Sequence, residues 1–271
     1  MGRVSPEPRL IPTYQHSEFD AADLAARKGG QTVAVIIPAH DEERTVGRVV
    51  GAVRDGLVDR VGLVDEVVVV DDGSRDRTAE AAVHAGARVV PSGLGGGDGV
   101  LRNVGKGGAL QRGLAETDSD LVVFLDADVS NLRAHFVTGL LGPLLTSPDT
   151  VLVKAVYGPT HRSDAVGGGR VTELVARPVL SLLFPELAGV EQPIAGETAV
   201  RRSAIEDLEL NPGYGVEMGM LIDVATRFGA EAIAQVDIGV RVHRSRPLEQ
   251  LVPQAHAVLE AALRRAGVAV A

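Results

Sequence analysis

The fold of this chain follows from residues 121–128, which read LVVFLDAD. Five apolar residues closed by acids are typical of a strand buried in a parallel sheet, here predicted at 121–125. Ligands of open α/β sheets bind beyond the carboxyl ends of such strands. Asp126 and Asp128 are therefore candidate ligands for a hard divalent cation that also binds diphosphate oxygens. The alternative is a solvated strand end, because short acidic motifs are common.

The segments on either side alternate between strand and helix patterns. Further strands are predicted at 33–37, 66–70, 88–90, 151–157 and 232–236. Helices are predicted at 17–28, 42–53, 78–85, 107–116, 136–145, from 171 onward, 216–228 and 248–266. Alternation of this kind indicates an α/β fold with a doubly wound, mostly parallel sheet.

Composition excludes several classes of function. The 271 residues carry a net charge of −9 and only 3% aromatic residues, which argues against binding of nucleic acid through phosphates or stacked bases. There is no cysteine, so disulfides and thiolate metal sites are excluded. No apolar run reaches the length of about 18 residues that a transmembrane helix needs. We therefore expect a cytoplasmic protein with neither a membrane nor a nucleic acid as partner.

Acidic residues follow three of the predicted strands. Asp41 comes after the first strand, Asp72 after the second, and Asp126 with Asp128 after the fourth. Because parallel strands end at one edge of a sheet, we expect these acids to converge there. Asp41 could instead be a plain N-cap, and Asp72 could belong to an ordinary Asp-Gly turn. Lys106, between flexible glycines, could neutralise a diphosphate or could be a surface residue.

Upstream and downstream motifs together resemble a known family. The segments 35–39 (VIIPA), 69–74 (VVDDGS), 106–107 (KG) and 125–128 (LDAD) resemble glycosyltransferases of the GT-A fold. The segment 167–178 (GGGRVTELVARP) is similar to the acceptor segment of glucosyl-3-phosphoglycerate synthases, as are segments 196–197, 212–217 and 239–244. The upstream motifs are generic to GT-A enzymes, whereas the downstream motifs are specific.

The resemblance implies a retaining transfer of glucose from a nucleoside diphosphate sugar, usually UDP-glucose, to the 2-hydroxyl of D-3-phosphoglycerate, with Mg²⁺ or Mn²⁺ as cofactor. The enzyme would be a homodimer. The implied catalytic residues are Glu217, Lys106 and Asp128. The implied donor-binding residues are Pro38, Ala39, Glu42, Asp72, Ser74, Lys106, Asp126, Ala127, Tyr214 and Glu217. Gly169, Arg170, Thr172 and Arg246 would bind the acceptor, and Asp128 with His243 would ligate the metal.

The pattern along the chain also predicts its division into four parts. Residues 1–31 would form a lead-in, 32–130 a donor-binding half, 131–247 an acceptor-binding half and 248–271 a C-terminal helix. That helix has apolar residues at helical spacing, so we expect it to pack on the body or on a second subunit. The glycine-rich segment 93–99 is expected to be mobile.

Several positions depart from the family pattern. His40-Asp41 stands where Leu-Asn is more frequent, and Ala195 stands where serine is usual. These departures leave open GDP-mannose as donor, another small anionic acceptor in secondary metabolism, or a non-catalytic nucleotide-sugar binding protein. A nucleotidyltransferase is disfavoured, because a Gly-rich basic loop does not follow the first strand.

Overall fold

The computed structural model describes residues 11–93, 104–158, 169–208, 210–242 and 247–270. Within these ranges, eight strands form one sheet. The strands are β1 (Thr13–Gln15), β2 (Val33–Ala39), β3 (Glu66–Asp71), β4 (Arg88–Pro91), β5 (Leu121–Phe124), β6 (Leu152–Gly158), β7 (Thr198–Arg201) and β8 (Ile233–Val240). The α-helices are α1 (Ala21–Lys28), α2 (Val46–Val53), α3 (Thr78–His84), α4 (Gly105–Ala115), α5 (Ala134–Thr146), α6 (Arg177–Leu183), α7 (Val216–Phe228) and α8 (Leu248–Arg265).

The sheet is mostly parallel, as predicted. Its strand order is β1-β8-β6-β7-β5-β2-β3-β4. Strand β7 runs antiparallel to its neighbours β5 and β6, and the other described pairs are parallel. The register pairs Ala39 with Asp71 and Ile36 with Phe124. The chain therefore leaves β2, β3 and β5 at one edge of the sheet.

Both faces of the sheet are covered by apolar side chains. Val35 and Ile37 of β2 pack into one core, while Ile36 between them packs into the other. All three are fully buried, and burying a side chain of this size stabilises the fold by about 1.5–3 kcal/mol. In the part of the chain that the structure describes, no helix is long and apolar enough to cross a membrane.

Two strands were missed by the sequence patterns. Strand β1 lies in the predicted lead-in and pairs in parallel with β8 at the edge of the sheet. Strand β7 lies between β5 and β6, where it follows the Gly196-Glu197 motif. Both strands are short, with three and four residues, and they form because a neighbouring strand offers hydrogen bonds. Strand β8 runs to Val240, beyond the predicted end at residue 236.

Two helices start later than predicted. The helix predicted from residue 17 begins as an α-helix at Ala21, because the Asp20 carboxylate accepts hydrogen bonds from the backbone nitrogens of Ala22 at 2.8 Å and Asp23 at 3.1 Å. The helix predicted from residue 42 begins at Val46, since residues 41–43 donate their backbone N–H groups to side chains after β3. The glycine-rich segment falls outside the described residues from position 94 onward.

Candidate functional site

The loops that follow β2 and β3 are tied together by side-chain hydrogen bonds. The backbone nitrogen of Asp41 donates to Ser74 Oγ at 3.0 Å, and that of Glu42 donates to Thr78 Oγ1 at 2.7 Å. Asp41 has a φ of 54°, which aspartate tolerates better than most residues. Asp41 is not the N-cap of α2, because Thr45 holds that position. These contacts bring four predicted donor-binding residues to one rim: Pro38, Ala39, Glu42 and Ser74.

Asp72 lies beneath this rim. The residue is 5% exposed, and its carboxylate accepts hydrogen bonds from Ser92 Oγ at 2.6 Å, Val104 N at 2.8 Å and Gly105 N at 3.0 Å. The last two nitrogens belong to the start of α4. The structure thus places this predicted donor-binding residue against a helix that carries another one, Lys106.

Lys106 is at the centre of a buried ion cluster. Its Nζ lies 2.5 Å from Asp126 Oδ1 and 2.5 Å from Glu217 Oε1. Burial by itself lowers the pKa of Lys106, but the charges of Asp126 and Glu217 outweigh burial and raise the pKa above its ordinary value. Lys106 is therefore a permanent cation. The prediction from the sequence did not foresee that it pairs with two of the other candidate residues.

Arg241 forms the second part of the cluster. Its Nε donates to Glu197 Oε1 at 2.7 Å, and its Nη2 donates to Asp126 Oδ2 at 2.6 Å. The same Nη2 lies 3.7 Å from Asp128 Oδ1, and the guanidinium carbon lies 5.4 Å from the centre of the Tyr157 ring. One buried arginine thus joins both acids of the 126–128 motif to Glu197.

Sequence reasoning missed Arg241 and Glu197 as a pair. Each lies in a segment that had been singled out, but 44 positions separate them. Glu197 is fully buried. Burial raises its pKa, while the charge of Arg241 acts in the opposite direction. The available signal was the Gly-Glu motif itself, because an acid that follows a buried turn requires a cation.

Lys154 was also missed. It stands in the middle of strand β6, is fully buried, and donates to the carbonyl oxygen of Ala195 at 2.6 Å and to Thr198 Oγ1 at 2.9 Å. Burial lowers its pKa to about 8. Its sequence signal is a single lysine within an apolar strand. The charges that influence Lys154 include those of Lys106, Asp126, Glu197 and Glu217.

The predicted metal ligands are only partly within the described residues. Asp128 is there, and its side chain is 17% exposed. His243 lies outside the described residues. Among the residues that the structure does describe, no group of three or more histidine or acidic side chains could hold a metal ion. A carboxylate at a strand end still fits a cation that takes further ligands from a diphosphate.

The predicted acceptor residues open the helical segment before α6. Residues 170 and 171 are helical, and a π-helical segment Thr172–Ala176 follows. Arg170 is exposed, and Thr172 is buried. Gly169 is exposed and its carbonyl oxygen accepts a hydrogen bond from Glu173 N at 3.0 Å. Arg246 and Gly167-Gly168 lie outside the described residues.

Tyr214 and Glu217 lie at the start of α7. Tyr214 belongs to a 3₁₀ turn at Gly213–Gly215 and is 39% exposed. Glu217 is in the first turn of α7 and is buried. The structure therefore brings Lys106, Asp126 and Glu217 together, with Asp128 beside them through Arg241.

Comparison with known proteins gives a consistent result. Residues 34–208 match the family model described as glycosyl transferase family 2. A glucosyl-3-phosphoglycerate synthase from Mycobacterium tuberculosis is 45% identical over 278 aligned residues, which cover 98% of this chain and 83% of that protein.

Solved structures agree in fold. A crystal structure of glucosyl-3-phosphoglycerate synthase from M. tuberculosis, in complex with Mn²⁺, UDP-glucose and phosphoglyceric acid, superimposes with a TM-score of 0.87 at 45% identity. The match covers 96% of this chain and 89% of that chain. A complex of that enzyme with Mg²⁺ and UDP also gives a TM-score of 0.87, at 44% identity, with 96% and 88% coverage. The predicted GT-A fold is confirmed.

Proposed function

Because this chain belongs to the glucosyl-3-phosphoglycerate synthases of glycosyl transferase family 2, we propose that it is a metal-dependent glucosyltransferase. It transfers glucose from UDP-glucose to the 2-hydroxyl of D-3-phosphoglycerate and gives glucosyl-3-phosphoglycerate. The substrates are those named for the M. tuberculosis complex. The observation that carries the proposal is the buried cluster in which Lys106 bridges Asp126 and Glu217.

The cluster supplies what a nucleotide-sugar site needs. Strand ends and a helix start converge on Lys106, whose charge is fixed by two carboxylates. A preorganised cation in a buried site stabilises developing negative charge far better than a cation in water. Asp126, Ala127 and Glu217 would contact the sugar-diphosphate part of the donor. Pro38, Ala39, Glu42, Asp72 and Ser74 would serve the uridine and ribose, and Tyr214 would border the glucose.

Asp128 and His243 would hold the divalent ion, Mn²⁺ or Mg²⁺. The carboxylate of Asp128 is a hard oxygen donor suited to both ions. When bound, such an ion offsets charge on the departing diphosphate. Arg241 holds the two acids of the motif in place, since it contacts Asp126 directly and lies 3.7 Å from Asp128.

Arg170 would recognise the acceptor. The guanidinium presents a planar set of donors that matches phosphate or carboxylate. Gly169 lets the backbone come close to an anion, and Thr172 adds a hydroxyl at the start of the same helical segment. Arg246 would complete the acceptor site.

The pairing of the acids supports a front-face mechanism. Glu217 is 2.5 Å from Lys106, and Glu197 is 2.7 Å from Arg241, so each candidate nucleophile is already bound to a cation. The acceptor oxygen would attack the anomeric carbon from the side that UDP leaves. The carbon–oxygen bond to UDP breaks, the bond to the acceptor oxygen forms, and the leaving diphosphate takes the acceptor's proton. Lys106 and Arg170 supply position and charge.

This stereochemical proposal has its own test. We expect an α-linked product and no glucosyl-enzyme when a slow fluorinated donor is used with mass spectrometry. An adduct on Glu217 would replace the front-face mechanism with a covalent one.

The direct test of function measures nucleoside diphosphate release from a panel of sugar nucleotides, with and without 3-phosphoglycerate. We expect release from UDP-glucose that depends on 3-phosphoglycerate. Lys106→Met should leave only a small residual release, whereas Lys28→Met, which breaks a 2.9 Å ion pair with Asp65 at the amino end of β3, should retain it. A preference for GDP-mannose or for another acceptor would change the substrate assignment. Binding of a sugar nucleotide without release of its nucleoside diphosphate would indicate a non-catalytic protein.

The proposal includes a homodimer in the cytoplasm. Leu182 of α6 is 79% exposed and Val252 of α8 is 60% exposed, and α6 packs beside α8. Two neighbouring helices with exposed apolar side chains suit a subunit interface. Light scattering should give twice the mass of one chain for the wild type. The Leu182→Glu variant should have the mass of a single chain. An unchanged dimer in that variant would place the interface elsewhere.

A further inference from the structure

Helix α4 is anchored at its start by Asp72, the acid that follows β3. Its N-cap residue, Val104, has no side chain that can accept a hydrogen bond. Instead Asp72 accepts from Val104 N at 2.8 Å through Oδ1 and from Gly105 N at 3.0 Å through Oδ2. The first N–H groups of a helix lack partners within the helix, and a negative charge there also interacts favourably with the helix dipole.

Lys106 follows these two residues directly. Its ammonium group reaches Asp126 and Glu217, both at 2.5 Å. The position of the first turn of α4 therefore sets where the ammonium group lies relative to both carboxylates.

The opposite side of that turn is held by close backbone packing. A Cβ atom on Gly107 would lie 1.7 Å from the carbonyl oxygen of Asn211, and one on Gly105 would lie 3.2 Å from Gly213 Cα. Residues 211–213 lead directly into the start of α7, which carries Glu217. The first turn of α4 is thus fixed between Asp72 and the segment that positions Glu217.

We propose that Asp72 is a positioning residue for Lys106. It acts by fixing the first turn of α4, and it does not need to touch the donor, although the sequence resemblance assigns it to donor binding. The inference rests on the proposed function only through the role given to Lys106. Asp72 is buried, and its carboxylate accepts three hydrogen bonds within the protein, which favours a positioning role over donor contact.

Asp72→Asn is the informative substitution, because the amide keeps the shape but presents N–H groups where an oxygen now accepts from α4. A displacement of about 1 Å at a reacting group lowers the rate by up to about 100-fold. We therefore expect kcat to fall by about 10- to 100-fold in this variant. Its affinity for UDP should stay close to that of the wild type. Ser92→Ala is the matched control: it removes the 2.6 Å hydrogen bond to Asp72 but leaves both contacts to α4. Its kcat should stay close to that of the wild type, because both hydrogen bonds from the start of α4 to Asp72 remain.

A double-mutant cycle with Lys106→Met separates the two roles of Asp72. If Asp72 acts through Lys106, Asp72→Asn should have little further effect on residual transfer or on UDP affinity once Lys106 is gone. The inference would be overturned if the two substitutions lowered transfer independently, so that their effects multiplied in the double variant. It would also be overturned if Asp72→Asn left kcat unchanged and weakened UDP binding as much as it lowered kcat/KM, because Asp72 would then contact the donor.

Two further measurements keep the test valid if Asp72→Asn folds poorly or transfer is not detected. Gly107→Ala disturbs the same turn with Asp72 intact, and it should lower kcat without weakening UDP binding. Hydrogen exchange of the Val104 and Gly105 amides, measured in the full chain without substrates, should accelerate in Asp72→Asn but not in Ser92→Ala. If exchange is unchanged in Asp72→Asn, Asp72 does not fix the start of α4, even if the wild type transfers glucose. If exchange accelerates but the wild type shows no transfer, Asp72 does fix the start of α4 and the proposed function is wrong.

Discussion

Replacing Arg241 with methionine measures how far the site depends on one buried cation. The arginine side chain is 5% exposed and contacts Glu197 at 2.7 Å and Asp126 at 2.6 Å. Methionine fills much of the same volume without charge. The substitution therefore leaves two carboxylates without their shared partner while the packing changes little.

The expected loss of stability is large. Removing one partner of a buried ion pair costs about 3–5 kcal/mol, because the other charge is left unpaired. At about 2–4 °C per kcal/mol for a domain of this size class, the melting temperature should fall by about 6–20 °C.

The loss should also depend on pH. Burial raises the pKa of Glu197, and Arg241 opposes that effect. Without Arg241 the pKa of Glu197 rises further in the folded state, so folding then favours the protonated acid. A group whose folded pKa is raised contributes stability below its unfolded pKa and loses it as pH rises through the folded pKa. The deficit of the variant should therefore grow between pH 5.5 and pH 8.

Urea unfolding at those two pH values, in metal-free buffer, tests this reasoning. Arg201→Met is the control, because the hydrogen bonds that Arg201 donates among the described residues go to the backbone carbonyls of Leu144, Ser147 and Thr150. Its deficit should not grow with pH. Adding Glu197→Gln to Arg241→Met should remove the pH dependence. A loss below about 1 kcal/mol, as for an exposed ion pair, or an equal loss at both pH values, would refute the account of the cluster.

Three further predictions concern the metal, the acceptor and His135 of α5. Chelator should abolish glucosyl transfer and Asp128→Ala should lower it strongly, and full activity in EDTA would contradict the metal assignment. Arg170→Ala should raise acceptor KM by about 10- to 150-fold, the equivalent of 1.5–3 kcal/mol for charged hydrogen bonds, and donor KM much less, whereas Arg177→Ala should change neither. Burial and the neighbouring His16 lower the pKa of His135, so its contribution to stability is present above the unfolded pKa of about 6.5 and is lost as pH falls through the folded pKa. Unfolding free energies at pH 7.5 and 5.5 should therefore differ less in His135→Gln than in the wild type, and an equal difference would exclude His135 as the cause.

Three strands, β2, β3 and β5, were predictable because each is built on an uninterrupted apolar run. Strands β2, β3 and β5 are buried on both faces, so their sequences alone identify them. Strands β1 and β7 carry no such pattern, since they are short and depend on a neighbour already in place. Their pairing is a property of the folded sheet and not of the local sequence.

Several members of the buried cluster were named by the sequence motifs, but the way they pair was not predicted. Lys106, Asp126 and Glu217 were each identified from motifs, yet the motifs did not indicate that one ammonium group would join both acids. The pairing of Arg241 with Glu197 could not be predicted either, because 44 positions separate the two residues. Asp72 is a further example: the motif identifies the residue, but only the hydrogen bonds from the start of α4 show what its carboxylate contacts.

The charges of the cluster support the proposal that a divalent ion binds beside it. Three cations face four carboxylates there: Lys106, Lys154 and Arg241, against Asp126, Asp128, Glu197 and Glu217. With all of them charged, the cluster is negative by one, and it becomes more so as Lys154, whose burial brings its pKa to about 8, loses its proton. A diphosphate donor and a phosphorylated acid both carry negative charge, so the cluster alone would repel them. A Mn²⁺ or Mg²⁺ ion held by Asp128 would reverse the sign, while Lys106 and Arg241 keep Asp126, Glu197 and Glu217 in place.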